Sequence, residues 1–328
     1  MNIFVAESHD SLSLIELLTG KVGEFQTKID ANLLQMTKRF EDADAVLVPH
    51  DAYDFYKFPE YLTYLNNLAL VKPIIYSDRG DFPKKPRIAN SIAIRVAVNP
   101  GESLRNKVVV PYNIESLEGL PYRAYAERPT VSFMGFIPKI SLGRIYRTLK
   151  YSPCHPISGN GAAVRKITRS RIYQSNLDYE FISRSSYGAS FKLTHDLDVK
   201  RREYLQQISS SDFIIAPRGD ANQSTRFYES LSAGRIPLVP NTSFSLPKSL
   251  DTLSHIEYPF VEFSLLKGSI HKPIESYWLN FSTGSEYIKN QVATREFFAK
   301  NLAFNTFMKR LFSLHIRDFF ALSEFYSH

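Results

Sequence analysis

The stretch at positions 212–241, DFIIAPRGDANQSTRFYESLSAGRIPLVPN, restricts the fold more than any other part of the chain. Phe213, Ile214, Ile215 and Ala216 form a short apolar run closed by Pro217, which reads as a buried strand. Residues 224–233 have helical spacing, with Phe227, Tyr228 and Leu231 on one side. Residues 236–239 read as the next strand. Strand, polar loop, helix and strand in this order make the right-handed crossover of a parallel sheet. In such sheets ligands sit beyond the carboxyl ends of the strands, where the loop at 218–223 falls.

That loop has the composition of a phosphate site. Gly219 allows a tight turn and a close backbone approach, and Ser224 is a natural N-cap for a helix start that presents unpaired N–H groups. Arg218 and Arg226 add two guanidinium forks, so a diphosphate is the expected guest. Glu229 follows Arg226 by about one turn on the same face, where its carboxylate can accept the two hydroxyls of a ribose. Gly234 is placed to end the helix. Taken singly, Arg226 and Glu229 read better as a surface ion pair and Arg218 as a solvated loop residue; the joint arrangement reverses that preference in favour of a ligand site. Asn222 and Thr225, with Gly135 and Arg144 from a neighbouring strand end and helix, complete the expected donor-binding set.

The pattern S-x-F-x-x-x-P-R-G-D-x-x-x-S-x-R-F-Y-E-x-L-x-x-G-x-I-P, filled from Ser211 to Pro237, resembles the signature of exostosin-like glycosyltransferases, glycosyltransferase family 47. DADAVLVP at 42–49, PIIYSDRGD at 73–81, KVVVPY at 107–112 and TVSFMG at 130–135 are similar to further segments of that family, in the same order. The resemblance covers most of residues 40–240 and does not extend past about Leu250. It implies a GT-B fold, two Rossmann-like domains facing each other across a cleft, with donor nucleotide on the second and acceptor on the first. It also implies inversion at the anomeric carbon and a UDP-sugar donor by default, giving a β-linkage.

Organisation along the chain agrees with two α/β halves. Strands are expected at 2–5, 45–48, 73–76, 92–98 and 107–110, and helices at 12–18, 29–40 and 59–67. Proline, glycine and polar residues at 113–129 suggest a linker. Strands at 131–134, 178–182 and 212–216 and helices at 143–150 and 199–208 follow. The division is therefore 1–125 for an acceptor-side domain, 126–295 for a donor-binding domain, and 296–328 for a C-terminal helix packing back over the junction. That last stretch mixes many phenylalanines with Lys300, Lys309, Arg310 and Arg317. Its aromatic stripe seeks burial, the alternative being an anionic membrane surface. The turn-rich segment at 152–163 reads as a surface connection, or as a lip on the cleft.

With 328 residues, 44% of them hydrophobic and 22% charged, the chain can bury two cores, and disorder is not expected. A net charge of +7 favours anionic partners: a nucleotide sugar, an anionic lipid surface or nucleic acid. The basic residues form no tail and no zinc-finger spacing or RNP motif occurs, so no nucleic acid is expected as partner. Cys154, alone of its kind, permits neither an intrachain disulfide nor a thiolate metal cluster. No stretch approaches ~20 apolar residues and no signal peptide opens the chain. The expectation is therefore a cytoplasmic protein with possible peripheral membrane contact, whereas animal and plant relatives of the resembled family are Golgi-anchored.

A nucleoside diphosphate leaves readily once its growing charge is matched, and the acceptor hydroxyl then needs a general base from the opposite half. Candidates at strand ends are Glu7, His9, His50, Asp51, Asp78 and Asp81, of which Asp51 and His9 are chosen as catalytic. Asp196-Leu197-Asp198 has the D-x-D form of a Mn²⁺ site, but it precedes the helix at 199–208, where Asp198 suits an N-cap. No metal is expected, since Arg218, Arg226 and a helix N-terminus can neutralise the leaving group. The expected partners are a nucleotide sugar and a glycan or glycolipid acceptor, for whose sugars the tyrosines and Trp278 are candidate stacking residues. The rival readings are a non-catalytic sugar-nucleotide or glycan-binding protein and a nucleotide-sugar epimerase.

Overall fold

The computed structural model describes residues 1–6, 35–51, 59–78, 88–184, 195–253 and 256–324. The first half contains β1 (Asn2–Val5), β2 (Gln35–Met36), β3 (Ala45–Asp51), α1 (Pro59–Ala69), β4 (Ile74–Ser77), β5 (Ser91–Arg95) and β6 (Lys107–Val109). Its six strands pair in parallel in the order β2-β1-β3-β4-β5-β6. The second half contains β7 (Thr130–Phe136), α2 (Leu142–Tyr151), α3 (Gly161–Tyr173), β8 (Asp178–Arg184), α4 (His195–Ser209), β9 (Phe213–Ile215), α5 (Thr225–Ser232), β10 (Ile236–Pro240) and β11 (Val261–Phe263). These five strands are parallel too, in the order β11-β10-β9-β7-β8. Four helices close the described chain: α6 (His271–Trp278), α7 (Gly284–Asn301), α8 (Phe304–Ser313) and α9 (Ile316–Glu324). Two Rossmann-like parallel sheets of this kind constitute the GT-B architecture.

Parallel strands buried on both faces read as continuous apolar runs, and β9 and β10 of the second sheet are of this kind: Phe213, Ile214 and Ile215 in β9 and Ile236, Leu238 and Val239 in β10 are all buried. Helix α5 covers one face, pressing Phe227, Tyr228 and Leu231 against Val239 and Tyr258. Its ends are specified locally. The Ser224 hydroxyl accepts the Arg226 amide, and Gly234 takes φ +71° at the far end. There the Arg235 amide donates to Ser230 and the Gly234 amide to Leu231, a Schellman closure that turns the chain straight into β10.

The C-terminal aromatics are interior, as their pattern suggests, but they belong to the core of the first sheet. Phe304, Phe307, Met308, Leu311, Phe312 and Phe319 pack with Ile3, Leu47, Ile75, Ile92 and Val108. Each such side chain contributes about 1.5–3 kcal/mol on burial. The segment is not one helix: α7 ends at Asn301, and α8 and α9 follow.

The residues at 113–129 are pinned along the second half. The Leu117 amide donates to the Ser232 hydroxyl, Trp278 donates to the Ala126 carbonyl, and the Tyr125 ring stacks on Trp278 at 5.3 Å.

Three local expectations are corrected. Within the stretch expected as a helix at 29–40, Gln35–Met36 is a strand paired with β1; its apolar residues are too few to distinguish period 3.6 from period 2. Helix α4 covers His195–Ser209, so Asp198 lies within the helix and is not its cap. Residues 161–173, assigned no element from the sequence, form α3, capped by the Asn160 side chain. The helix expected at 12–18 lies outside the described residues.

Candidate active site

The direction of strand addition reverses twice. In the second sheet β7 is laid first, β8 joins one side and β9 the other, so the carboxyl ends of β7 and β9 flank a topological switch point. The loop at 216–224 leaves β9 there, and Gly135 and Phe136 finish β7 beside it. The first sheet reverses between β1 and β3. Crevices for ligands form at such points.

The two carboxyl edges meet. Asn222, fully buried, donates to the Val98 carbonyl at 3.1 Å, beyond the end of β5, and to the carbonyls of Thr242 and Ser243 at 3.2 Å. Its own amide oxygen is buried without a partner. Arg218 donates to Asn99 Oδ1 at 3.2 Å, to the Ser158 carbonyl at 2.9 Å and to the Asp220 carbonyl at 3.0 Å. The guanidinium read from the sequence as a phosphate clamp is thus a buried strut between the halves.

Gly219 lies so close to the start of α3 that a Cβ on Gly161 would sit 2.0 Å from the Gly219 carbonyl oxygen. Buried Arg165 holds this junction from behind. It donates to the Arg218 carbonyl at 3.1 Å and to the Phe136 carbonyl at 2.6 Å, joining the ends of β7 and β9. Arg144, on α2, pairs with Asp220 at 2.7 Å.

Arg226 reaches across α5 to the end of β7, donating from Nε at 3.1 Å and from Nη2 at 2.7 Å to the Met134 carbonyl. Its guanidinium lies over the Phe133 ring at 5.2 Å and near the Tyr204 ring at 5.8 Å, contacts that favour the cation. Gly135 leaves room for this fork, since a Cβ would meet Arg226 Nη2 at 2.7 Å and displace the end of that side chain. Thr225, partly exposed, opens α5.

Glu229 does not pair with Arg226. Its two oxygens accept from Arg201 Nη1 at 2.9 Å and from the Tyr204 hydroxyl at 2.6 Å. Burial pushes the Tyr204 phenol well above its usual value, and the Glu229 charge adds to this, so the hydroxyl stays protonated and donates. Burial opposes the charge of Arg201, but Glu229 and Glu115 more than offset it and raise its affinity for the proton.

The proposed base residues divide. Asp51 closes β3 at the carboxyl edge, its backbone in register with Ser77. Asp78, buried just past β4, faces Arg95 at 3.4 Å. His50 lies within β3, while His9, Glu7 and Asp81 fall outside the described residues. Asp44, weighed with Asp42 for a metal, accepts the Asn2 amide at the opposite edge. Among the described residues no group of three His, Cys, Asp or Glu side chains is placed to hold a metal ion.

Arg165, Arg201 and Tyr204 escaped the sequence reading. Arg201 and Tyr204 stand three apart on α4, a spacing that puts both on one face and carries a signal, but their partner Glu229 is more than twenty residues away. Arg165 lies in a helix the sequence did not reveal.

No protein-family description matches the chain, and no curated protein sequence does. Solved structures do. The chain is similar to the lipopolysaccharide outer core galactosyltransferase WaaB in its apo form, with 12% identity and TM-score 0.40 over 95% of this chain and 99% of that one. A glycosyltransferase from Rickettsia africae aligns at 10% identity and TM-score 0.40, covering 97% and 98%. Anabaena HepE, solved with UDP and glucose, aligns at 9% identity and TM-score 0.36, covering 94% and 96%. At these levels the likeness does not extend to chemistry.

Proposed function

We propose that this chain is a glycosyltransferase that moves a sugar from a nucleoside diphosphate donor to an acceptor hydroxyl. The observation that carries the reading is the meeting of two parallel sheets by their carboxyl edges, with the loop at 216–224 at the switch point of the second and in hydrogen-bond contact with Val98 and Asn99 of the first. The donor's diphosphate would lie at the capped start of α5 beside Arg226, whose Nη1 has no partner among the described residues. Helix dipole and guanidinium together offset the charge that grows on the leaving group, without requiring a metal. Glu229, oriented by Arg201 and Tyr204, would accept the ribose hydroxyls. Arg218 and Arg165 hold the loop in shape.

UDP is the proposed nucleotide. In the proposed course, single displacement with inversion gives a β-linked product, the acceptor hydroxyl being deprotonated from the first half, with Asp51 at the end of β3 as the proposed base. The test is release of nucleoside diphosphate from a panel of sugar nucleotides, with and without glycoside acceptors and with and without EDTA. Acceptor-dependent release that survives EDTA supports the reading. Conversion of the sugar nucleotide without any acceptor would point to an epimerase instead.

A further inference from the structure

Helix α2 faces the wrong way for a structural helix. Its apolar residues Leu142, Ile145, Tyr146 and Leu149 recur at the three- and four-residue spacing that makes one stripe, and that stripe is turned outward. Leu142 is 85% exposed, Tyr146 64% and Leu149 53%, whereas buried Thr148 is on the inner side. Elsewhere the chain buries stripes of this kind: the apolar residues of α5 and α8 are interior. Isolated exposed leucines are ordinary, but a whole stripe on one helix marks a surface meant to be covered.

The charges beside the stripe identify the cover. Between residues 138 and 150, PKISLGRIYRTLK, there are four basic residues and no acidic one. Lys150 and Arg147 follow the stripe around one side of the helix, both exposed, and the Lys150 ammonium lies 5.7 Å from the Tyr146 ring centre. An apolar stripe with flanking cations is complementary to an anionic bilayer, where leucine, isoleucine and tyrosine enter the headgroup boundary and the basic residues meet lipid phosphates. The net charge of +7 acts in the same direction. The C-terminal aromatic segment cannot supply such a face, because Phe304, Phe307, Phe312 and Phe319 are core. Among the described residues no helix is long and apolar enough to cross a membrane.

We infer that α2 docks the protein onto an anionic lipid surface, lying in the interface with Leu142, Ile145, Tyr146 and Leu149 inserted. The Arg144–Asp220 pair at 2.7 Å ties this helix to the loop at the carboxyl edge, so docking brings that loop close to the membrane. The inference stands whether or not the chain transfers sugar.

The test is co-sedimentation of the full chain with phosphatidylcholine vesicles, with and without phosphatidylglycerol. Tyr146→Trp serves as a fluorescent reporter of insertion. Binding is expected only to the anionic vesicles, with a blue shift of the reporter and weakening as salt rises. Leu142→Ser/Leu149→Ser and Arg147→Glu/Lys150→Glu should each lower the partition coefficient by about tenfold or more. These side chains are exposed, so an unchanged Tm checks that both variants fold. Equal sedimentation of wild type and both variants overturns the inference. So does a concentration-dependent dimer, abolished by Leu142→Ser/Leu149→Ser, in a protein that ignores the vesicles, since a second copy would then be the cover.

Discussion

At the amino edge of the second sheet, Asp212 accepts from Arg123 Nε at 2.6 Å, the Tyr287 hydroxyl at 2.7 Å and the Thr130 amide at 2.8 Å. Beside it Arg235, without exposure, spends its five N–H groups on the carbonyls of Ile208, Ala233, Pro121 and Ser209 and on Gln291. At the carboxyl edge of the same sheet, Arg226 directs two nitrogens to one carbonyl and Asn222 buries an unpartnered oxygen. Both edges hold charged groups out of water. At the first, Asp212 and Arg235 have their hydrogen bonds met internally, as a permanent junction between β7, β9, the 113–129 segment and α7 requires, although Arg295 Nε of α7 is buried there without a partner. Under the proposed function, the polar capacity left open at the carboxyl edge is what the donor meets.

The largest effect belongs at the amino edge. Asp212→Ala leaves Arg123, the Tyr287 hydroxyl and the Thr130 amide without their acceptor, and should cost about 3–5 kcal/mol in urea unfolding, as loss of one partner of a buried charge pair does. A loss below about 1 kcal/mol would erase the distinction between the edges.

Next comes Gly135→Ala. The added methyl displaces the Arg226 fork, so nucleotide affinity should fall by about tenfold, equal to about 1.4 kcal/mol, at little cost in stability. Calorimetric titration with UDP and a urea curve on the same variant separate the two effects.

Tyr204→Phe removes one donor from Glu229. It should weaken nucleotide binding by about 1 kcal/mol, with the nucleobase preference unchanged, since the hydroxyl orients a carboxylate and does not read the base.

The smallest effect is a dependence on alkaline pH. Burial, reinforced by Asp212, holds the Tyr287 phenol above its ordinary value of 10, so the unfolded chain releases this proton first. Its contribution is full below pH 10 and is lost as pH rises from there through the folded value. Arg235, lowered by burial to about 10, runs the other way, because the unfolded chain keeps that proton longer. The difference in stability between wild type and Tyr287→Phe isolates the phenol and should shrink above pH 10.

How legible these edges were in the sequence follows from how local their contacts are. Ser224 capping α5 and Gly234 closing it act within a few residues, so the strand, loop, helix and strand around 212–241 could be read directly. The burial of the C-terminal phenylalanines was readable as a stripe, but their partners in the first sheet lie some two hundred residues away or more and leave no local trace. The same holds for Arg165 on the Arg218 carbonyl and for Arg201 and Tyr204 on Glu229. Arg218 marks the limit most clearly. Its place in a glycine loop suggested phosphate, and only the approach of Asn99 from the other half turns it into a strut.

The most direct measurement compares the two edges in one experiment: calorimetric titration of UDP, GDP, dTDP, CDP and ADP into wild type, Glu229→Gln and Asp212→Asn, with Tm recorded for each. The account predicts that wild type prefers one nucleotide, that Glu229→Gln loses this binding with Tm nearly unchanged, and that Asp212→Asn lowers Tm while binding survives below it. Binding of no nucleotide by wild type, or binding indifferent to Glu229→Gln, would contradict it.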